Sequence, residues 1–255
     1  MAKLLENQIF VSKANKKIYY DEVKGGDKFI VFLAGLKSNR KSSKAIFLKQ
    51  YALKNNYSFI AFDYLGHGDS DLDFTECNLD IWLANISEIL DELIPKKAIL
   101  VGSSLGGWLA IRLAEKKHPK IAAILGLAAA PDFTEDLIWS QLDKKNKELL
   151  KKGQIYNLPS EYCEANYAIT YQLIESGRRN LLLNKEKIKI EIPVRLLQAM
   201  EDDDVPYGYA IKLAEKITSK NLSLQLIKNS DHRLSDEYAR QKIIENLEDI
   251  LKFYN

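Results

Sequence analysis

Short apolar runs separated by stretches of helix length are the feature that most restricts the fold of this chain. Such runs occupy residues 29–34, 58–62, 98–101, 121–127 and 194–199, and turn-forming residues bound them. Strands that are apolar on both faces belong in a parallel sheet that helices cover on each side. The pattern therefore predicts an α/β fold built on a doubly wound, mostly parallel sheet.

Further strands are predicted at both ends of this pattern. Residues 8–23 alternate loosely between apolar and polar and end at Gly25 and Gly26, which predicts an antiparallel hairpin at one sheet edge. Residues 222–227 are typical of a last strand, and residues 236–254 are typical of a closing amphipathic helix. We therefore expect a sheet of about eight strands.

The segment 131–191 interrupts the strand–helix rhythm with charged helical stretches and aromatic side chains. A connection of this length between two strands is too long for an ordinary loop. We therefore predict a core domain formed by residues 1–130 and 192–255, with a small helical cap inserted at 131–191.

Composition argues against several classes of protein. Lys and Arg total 37 against 35 Asp and Glu, so the net charge of +2 gives no reason to expect nucleic acid as a partner. Glu6 and Asn7 interrupt the apolar stretch that a secretory signal needs, and no later segment is long enough to span a membrane. Cys77 and Cys163 lack metal-ligand spacing. These observations predict a soluble, cytoplasmic protein without a metal site.

A Gly-x-Ser-x-Gly motif occupies residues 102–106, between an apolar strand and a helical stretch. A sharp strand-to-helix turn leaves little room for side chains two residues on either side of its tip, which explains the glycines. The turn places the Ser104 hydroxyl above the sheet, at a helix N-terminus that stabilises negative charge. Ser104 is therefore the predicted nucleophile, and the Leu105 N–H is a predicted oxyanion donor.

A serine hydroxyl needs a base to take its proton, and the chain has three histidines. His232 follows the last predicted strand, at the end where open α/β sheets hold their active sites, and is the predicted base. His118 lies at a predicted helix end and is expected on the surface. His67 lies in a Gly-His-Gly turn and is expected to shape that loop.

The acid that orients the base is not fixed by periodicity. Four consecutive acidic residues, 201–204, follow the strand at 194–199, and only one of them can face the imidazole. Asp132 follows another predicted strand and is a more remote candidate.

The loop after the first core strand is expected to complete the oxyanion hole. The N–H of Leu36 is the predicted second donor, and Gly35 allows the backbone to approach the substrate closely. Loss of one such donor typically lowers turnover by about 10² to 10³. Aromatic side chains of the predicted cap are candidates for an acyl-chain site, although each is equally able to pack the cap against the core: Phe133, Trp139, Tyr167 and Tyr171.

Taken together, these motifs resemble those of the α/β-hydrolase superfamily from about residue 29 onward. Its acid motif, Gly-x-x-Asp-x-x-Val-Pro, is matched at 199–206 except that Ala199 replaces the glycine, and this register selects Asp202. Ser104, Asp202 and His232 also follow the chain order of that family. The stretches 33–38, 62–70 and 101–109 are similar to its mitochondrial branch of palmitoyl-protein thioesterases and acyl-glucuronide esterases.

The resemblance implies hydrolysis of a carboxylic ester or acyl thioester through an acyl-enzyme. It implies a small-molecule or protein-linked acyl substrate as partner and no metal or organic cofactor. Two alternatives stay open: a ligand-binding protein that keeps the fold without turnover, and a cofactor-free C–C hydrolase or peroxidase that uses the same triad. Intact triad residue types and elbow glycines favour turnover, while the acyl chain and the oligomeric state are left undetermined.

Overall fold

A large central sheet organises the computed structural model, which describes residues 1–159 and 166–254. Within these residues, eight strands form one sheet in the order β1-β2-β4-β3-β5-β6-β9-β10. The strands of this sheet are β1 (Lys3–Val11), β2 (Lys17–Lys24), β3 (Phe29–Leu33), β4 (Ser58–Phe62), β5 (Ala98–Ser103), β6 (Ile121–Leu127), β9 (Val194–Ala199) and β10 (Leu222–Ile227).

The directions of these strands confirm the predicted mostly parallel sheet. From β4 to β10 every neighbouring pair is parallel, whereas β1 pairs with β2 and β2 with β4 in antiparallel fashion. The residues of β4, β5 and β9 are buried throughout, which explains why their sequences are mostly apolar and do not alternate with polar residues. The hairpin predicted at one edge is the β1–β2 pair.

Helices cover the sheet, and several begin at side chains that accept hydrogen bonds from the first helical turn. Such N-cap residues precede α1, α2 and α7, and they are Ser42, Asn78 and Asp236. None of the helices in the described part of the chain is long and apolar enough to cross a bilayer. The helices are α1 (Ser43–Lys54), α2 (Leu79–Leu93), α3 (Leu105–Glu115), α4 (Lys144–Lys151), α5 (Tyr171–Arg179), α6 (Gly208–Lys216) and α7 (Glu237–Leu251).

The segment 131–191 contains α4 and α5 together with two short strands, β7 (Tyr156–Leu158) and β8 (Tyr167–Ile169), which pair antiparallel. A purely helical insertion was expected here, and three-residue strands are too short to leave a periodic pattern in a sequence. Cys163 lies outside the described residues. The division of the chain into core and cap stays a prediction.

The parallel strands end at the same edge of the sheet. Neighbouring strand ends are in register there, with Leu33 opposite Gly102, Ser103 opposite Leu127 and Ala199 opposite Ile227. The loops that follow β3, β5, β6, β9 and β10 therefore meet at one edge, and these loops carry the residues singled out in the sequence.

Candidate active site

Ser104 occupies a tight turn between β5 and α3. Its backbone adopts φ 53° and ψ −116°, a conformation that L side chains rarely adopt. A Cβ atom at Gly102 would lie 2.3 Å from the carbonyl oxygen of Gly106, and one at Gly106 would lie 2.1 Å from that of Leu33. Both glycines are therefore required by backbone packing, as the motif predicts for a nucleophile elbow.

Backbone hydrogen bonds hold this strained turn in place. The Ser104 N–H donates to the carbonyl of Leu127 at 2.9 Å. In return, the Ser104 carbonyl accepts from the N–H groups of Gly107 at 2.9 Å and Ala130 at 3.2 Å. The elbow is thus tied to β6 and to the segment after it, which fixes the serine against the edge of the sheet.

Asp202 and His232 are in direct contact. The distance between His232 Nδ1 and Asp202 Oδ2 is 2.8 Å. The side chain of Asp202 is fully buried, whereas that of His232 is 16% exposed. The other carboxylate oxygen, Oδ1, accepts from the N–H groups of Asp204 at 3.1 Å and Val205 at 2.7 Å. The loop after β9 therefore fixes the carboxylate that faces the imidazole.

Gln198 is a residue of this site that sequence reasoning missed. Its Nε2 donates to Asp202 Oδ2 at 2.8 Å and to the Val205 carbonyl at 3.0 Å. Its Oε1 is buried and has no hydrogen-bond partner among the described residues. The sequence signal was a polar side chain within the apolar run 194–199, because a polar residue in a buried strand needs a partner.

The alternative acids are placed differently from Asp202. Of the four consecutive acidic residues, Asp202 is buried and the other three are exposed. Asp132 accepts hydrogen bonds from the N–H groups of Leu182 at 2.8 Å and Leu183 at 2.7 Å. Burial raises the pKa of its carboxyl to about 6. Asp132 thus joins the two ends of the segment between β6 and β9.

The other two histidines lie elsewhere. His67 is buried among Tyr64, Phe74 and Trp82, with ring centroids between 5.1 and 5.5 Å away. Burial lowers its pKa to about 4, so it is neutral near pH 7 and shapes its loop. His118 is less exposed than predicted, because its Nε2 lies 3.6 Å from Asp91 and its side chain is 10% exposed.

The loop after β3 approaches the nucleophile closely. A Cβ atom at Gly35 would lie 3.4 Å from Ser104 Cβ and 3.5 Å from the carbonyl oxygen of Ser103. The N–H of Ser38 donates to the Gly35 carbonyl at 3.1 Å, which turns the loop. Leu36, the predicted oxyanion donor, follows directly, and Leu105 opens α3 on the other side of Ser104.

The aromatic residues predicted to line an acyl-chain site are not all in one cluster. Phe133 packs edge-on against Trp108, with ring centroids 5.6 Å apart. Trp139 and Tyr171 form a second pair at 5.7 Å, and the Arg178 guanidinium lies 4.6 Å from the Trp139 ring. Tyr167 lies on β8 and is partly buried against the core. Trp108 is fully buried, as expected for core packing.

The chemistry of the Asp202–His232 pair suits proton transfer better than metal binding. Ligand atoms of Asp202, Asp204 and His232 lie within 4.8 Å of one another. Both oxygens of Asp202, however, already accept N–H donors, which compete with a cation for the same lone pairs. The arrangement favours a base oriented by an acid.

The chain is similar to known proteins along most of its length. The chain is 33% identical to palmitoyl-protein thioesterase ABHD10, mitochondrial, of Bos taurus over 233 residues, which are 91% of this chain and 76% of that protein. The Homo sapiens protein of the same name is 32% identical over 233 residues, with the same shares covered. The solved structure of mouse alpha/beta hydrolase domain-containing protein 10 matches with a TM-score of 0.88 and 30% identity, covering 97% of this chain and 99% of that one.

These relatives overturn the predicted cytoplasmic location, because their names place them in mitochondria. The prediction rested on Glu6 and Asn7 interrupting an apolar stretch. That observation bears on secretory signals alone and does not distinguish between other compartments.

The resemblance drawn from the motifs is confirmed along most of the chain. A profile of the alpha/beta hydrolase family matches residues 30–245, which include the elbow, the Asp202 loop and His232. The chain is a hydrolase and belongs to the α/β hydrolase family.

Proposed function

We propose that the chain hydrolyses an acyl ester or thioester through Ser104, His232 and Asp202. The observation that carries this proposal is the 2.8 Å contact between His232 Nδ1 and Asp202, at the sheet edge where Ser104 occupies its elbow. An ionised carboxylate only accepts hydrogen bonds, so Nδ1 donates and Nε2 keeps the lone pair that a general base needs.

In the proposed acylation step, His232 Nε2 takes the hydroxyl proton as Ser104 Oγ bonds to the acyl carbon. The N–H groups of Leu36 and Leu105 stabilise the oxyanion, and the proximity of Gly35 to Ser104 supports this position for Leu36. The intermediate expels an alkoxide or thiolate, which takes the proton from the imidazolium. Asp202 stabilises the imidazolium between these two transfers.

In the proposed deacylation step, His232 deprotonates a water molecule that attacks the acyl-enzyme. The carboxylic acid leaves, and the proton returns to Ser104 Oγ. No metal or organic cofactor takes part in either step.

A long acyl chain is the substrate class that the relatives support, because they are named palmitoyl-protein thioesterases. The acyl group would reach this chain as a thioester or ester of a protein or a small molecule. We propose that aromatic side chains of the segment 131–191 line its path. Phe133 has the strongest support, because it contacts Trp108, four residues after the nucleophile. The others are Trp139, Tyr167 and Tyr171.

Labelling with a fluorophosphonate probe tests the nucleophile. The probe is expected to label the wild-type chain and to leave Ser104→Ala unlabelled. An unlabelled wild type would favour a ligand-binding protein without turnover, and a labelled Ser104→Ala would place the nucleophile elsewhere.

A substrate panel then tests the reaction. We expect turnover of p-nitrophenyl esters and of acyl thioesters, with kcat/KM rising with acyl length. A chain that takes the probe yet hydrolyses none of these substrates would favour the C–C hydrolase or peroxidase chemistry of the same triad.

A further inference from the structure

Lys44 connects two loops of the proposed site. It lies in the first turn of α1, which follows the loop that contains Gly35 and Leu36. Its Nζ donates to the carbonyl oxygen of Arg233, the residue after His232. A single side chain therefore links the helix after the predicted oxyanion loop to the loop that carries the base.

This is an unfavourable place for a cation. The first turn of a helix carries the positive end of the helix dipole, which repels an ammonium group. Burial lowers the pKa of Lys44 to about 8, and Arg233 and Arg240 lower it further. Asp231 and Asp202 act in the opposite direction and raise it. Lys44 thus lies within electrostatic reach of the carboxylate that contacts His232.

We propose that Lys44 is a positioning residue for His232, an inference that rests on the proposed function. Its ammonium fixes the Arg233 carbonyl and with it the backbone next to the imidazole. Asp202 stabilises the imidazolium that forms during the reaction, because it is in direct contact with the ring.

The proposal predicts a loss of activity at alkaline pH. As Lys44 loses its proton above about pH 8, the charged donor to the Arg233 carbonyl becomes a neutral, weaker one. The charged groups that face Lys44 are Asp231 and Arg233 from the His232 loop, Asp202 from the loop after β9, and Arg240 from α7.

The experiment compares Lys44→Met and Lys44→Arg with a matched control, Lys49→Met. Lys49 lies on the same helix, but its ammonium bonds to Glu6 and Asp21 of the β1–β2 hairpin. Steady-state hydrolysis of p-nitrophenyl butyrate is measured from about pH 5 to 10, which covers both limbs of a bell-shaped profile.

Lys44→Met is expected to lower kcat by about tenfold to a hundredfold with little change in KM, because the base is misplaced. Lys44→Arg keeps a charged donor at every pH. Its activity is therefore expected to stay near that of the wild type and not to fall at alkaline pH. Lys49→Met is expected to keep the wild-type profile. A wild-type profile in Lys44→Met, or an alkaline limb that persists in Lys44→Arg, would overturn the proposal.

A second measurement separates this proposal from the proposed function. The imidazole of His232 is observed by NMR in histidine-labelled protein that carries Ser104→Ala, with its signal assigned by His232→Gln. Lys44→Met is expected to shift this signal, because the backbone next to the ring loses its donor, and Lys44→Arg to leave it near the wild-type position. An unchanged signal in Lys44→Met would refute the role of Lys44 even if Ser104 proves to be the nucleophile. A shifted signal would support it even if no ester is hydrolysed.

Discussion

At the scale of single residues, Ser104 combines a chemical role with a backbone conformation that favours glycine. A non-glycine residue in such a region stores about 1–3 kcal/mol of strain. Ser104→Gly should relieve that strain while Ser104→Ala keeps it. We expect both variants to be inactive, and we expect Ser104→Gly to be more stable than Ser104→Ala by about 1 kcal/mol. Urea denaturation of the pair measures this difference, and equal stabilities would show that the turn is not strained.

Gln198 acts on the acid of the proposed triad. Replacing it with leucine removes the donor to Asp202 Oδ2 and leaves that oxygen bonded to His232 alone. We expect kcat to fall about tenfold with little change in KM, because the imidazole keeps its partner but loses its fixed orientation. Steady-state hydrolysis of a p-nitrophenyl ester measures the effect.

Gln225→Leu is the matched control, because Gln225 lies on the neighbouring strand β10 and bonds to Asn246 at 3.0 Å, away from Asp202. If Gln225→Leu lowers kcat as much as Gln198→Leu, the effect comes from strand packing and Gln198 has no role in orienting Asp202.

At the scale of elements, Asp132 holds together the two ends of the segment between β6 and β9. Burial raises the pKa of its carboxyl from 3.8 to about 6, so the folded chain binds this proton more tightly than the unfolded chain does. The stability from this group is complete below about pH 4 and is lost as the pH rises through about 6. Relative to that of Asp132→Asn, the free energy of unfolding of the wild-type chain should therefore fall by up to about 3 kcal/mol between pH 4 and 8.

Urea denaturation of both chains across this pH range measures the difference. Asp136→Asn is the control, since that carboxylate lies near Asp132 but does not bond to Leu182 or Leu183. A difference in the free energy of unfolding between the wild type and Asp132→Asn that stays constant with pH would contradict the prediction.

The elements differ in how far the sequence could predict them. Strands β4, β6 and β9 begin and end where the apolar runs do, because burial on both faces leaves a mostly apolar sequence. Strand β10, which is only partly buried, also has its predicted bounds. The pair β7–β8 left no such signature, because a three-residue strand acquires its conformation from its partner. Element boundaries in the core were therefore predictable, whereas those of the insertion depended on contacts that a sequence does not display.

The residues of the proposed site also differ in how far the sequence could predict them. The proposed nucleophile Ser104 and base His232 could be predicted from the sequence, because their chemistry requires those residue types after particular strands, and the register of the family's acid motif selected Asp202. Gln198 and Lys44 could not, because any donor of suitable length could hold a carboxylate or a carbonyl, and only the folded chain shows which side chain reaches it.

At the scale of the whole molecule, a cluster of buried charges joins elements around the proposed site. Arg40 follows the predicted oxyanion loop and is 1% exposed. Its guanidinium contacts Asp21 of β2 at 3.3 Å and also bonds to Asp63, the residue after β4. This cluster ties the β1–β2 hairpin, the end of β4 and the loop after β3 into one unit, although these elements are distant in sequence.

Arg40→Met should therefore destabilise the whole chain. Removing Arg40 leaves the buried carboxylate of Asp63 without its cation, whereas Asp21 keeps Lys49, and an unpaired buried charge typically costs about 3–5 kcal/mol. Lys41→Met is the control, because the Lys41–Asp69 pair is exposed and such pairs contribute about 0–1 kcal/mol. Urea denaturation monitored by tryptophan fluorescence should show a large loss for Arg40→Met and a small one for Lys41→Met. Equal losses would mean that the buried cluster contributes no more than a surface ion pair, and that apolar packing alone holds the loop after β3 against Ser104.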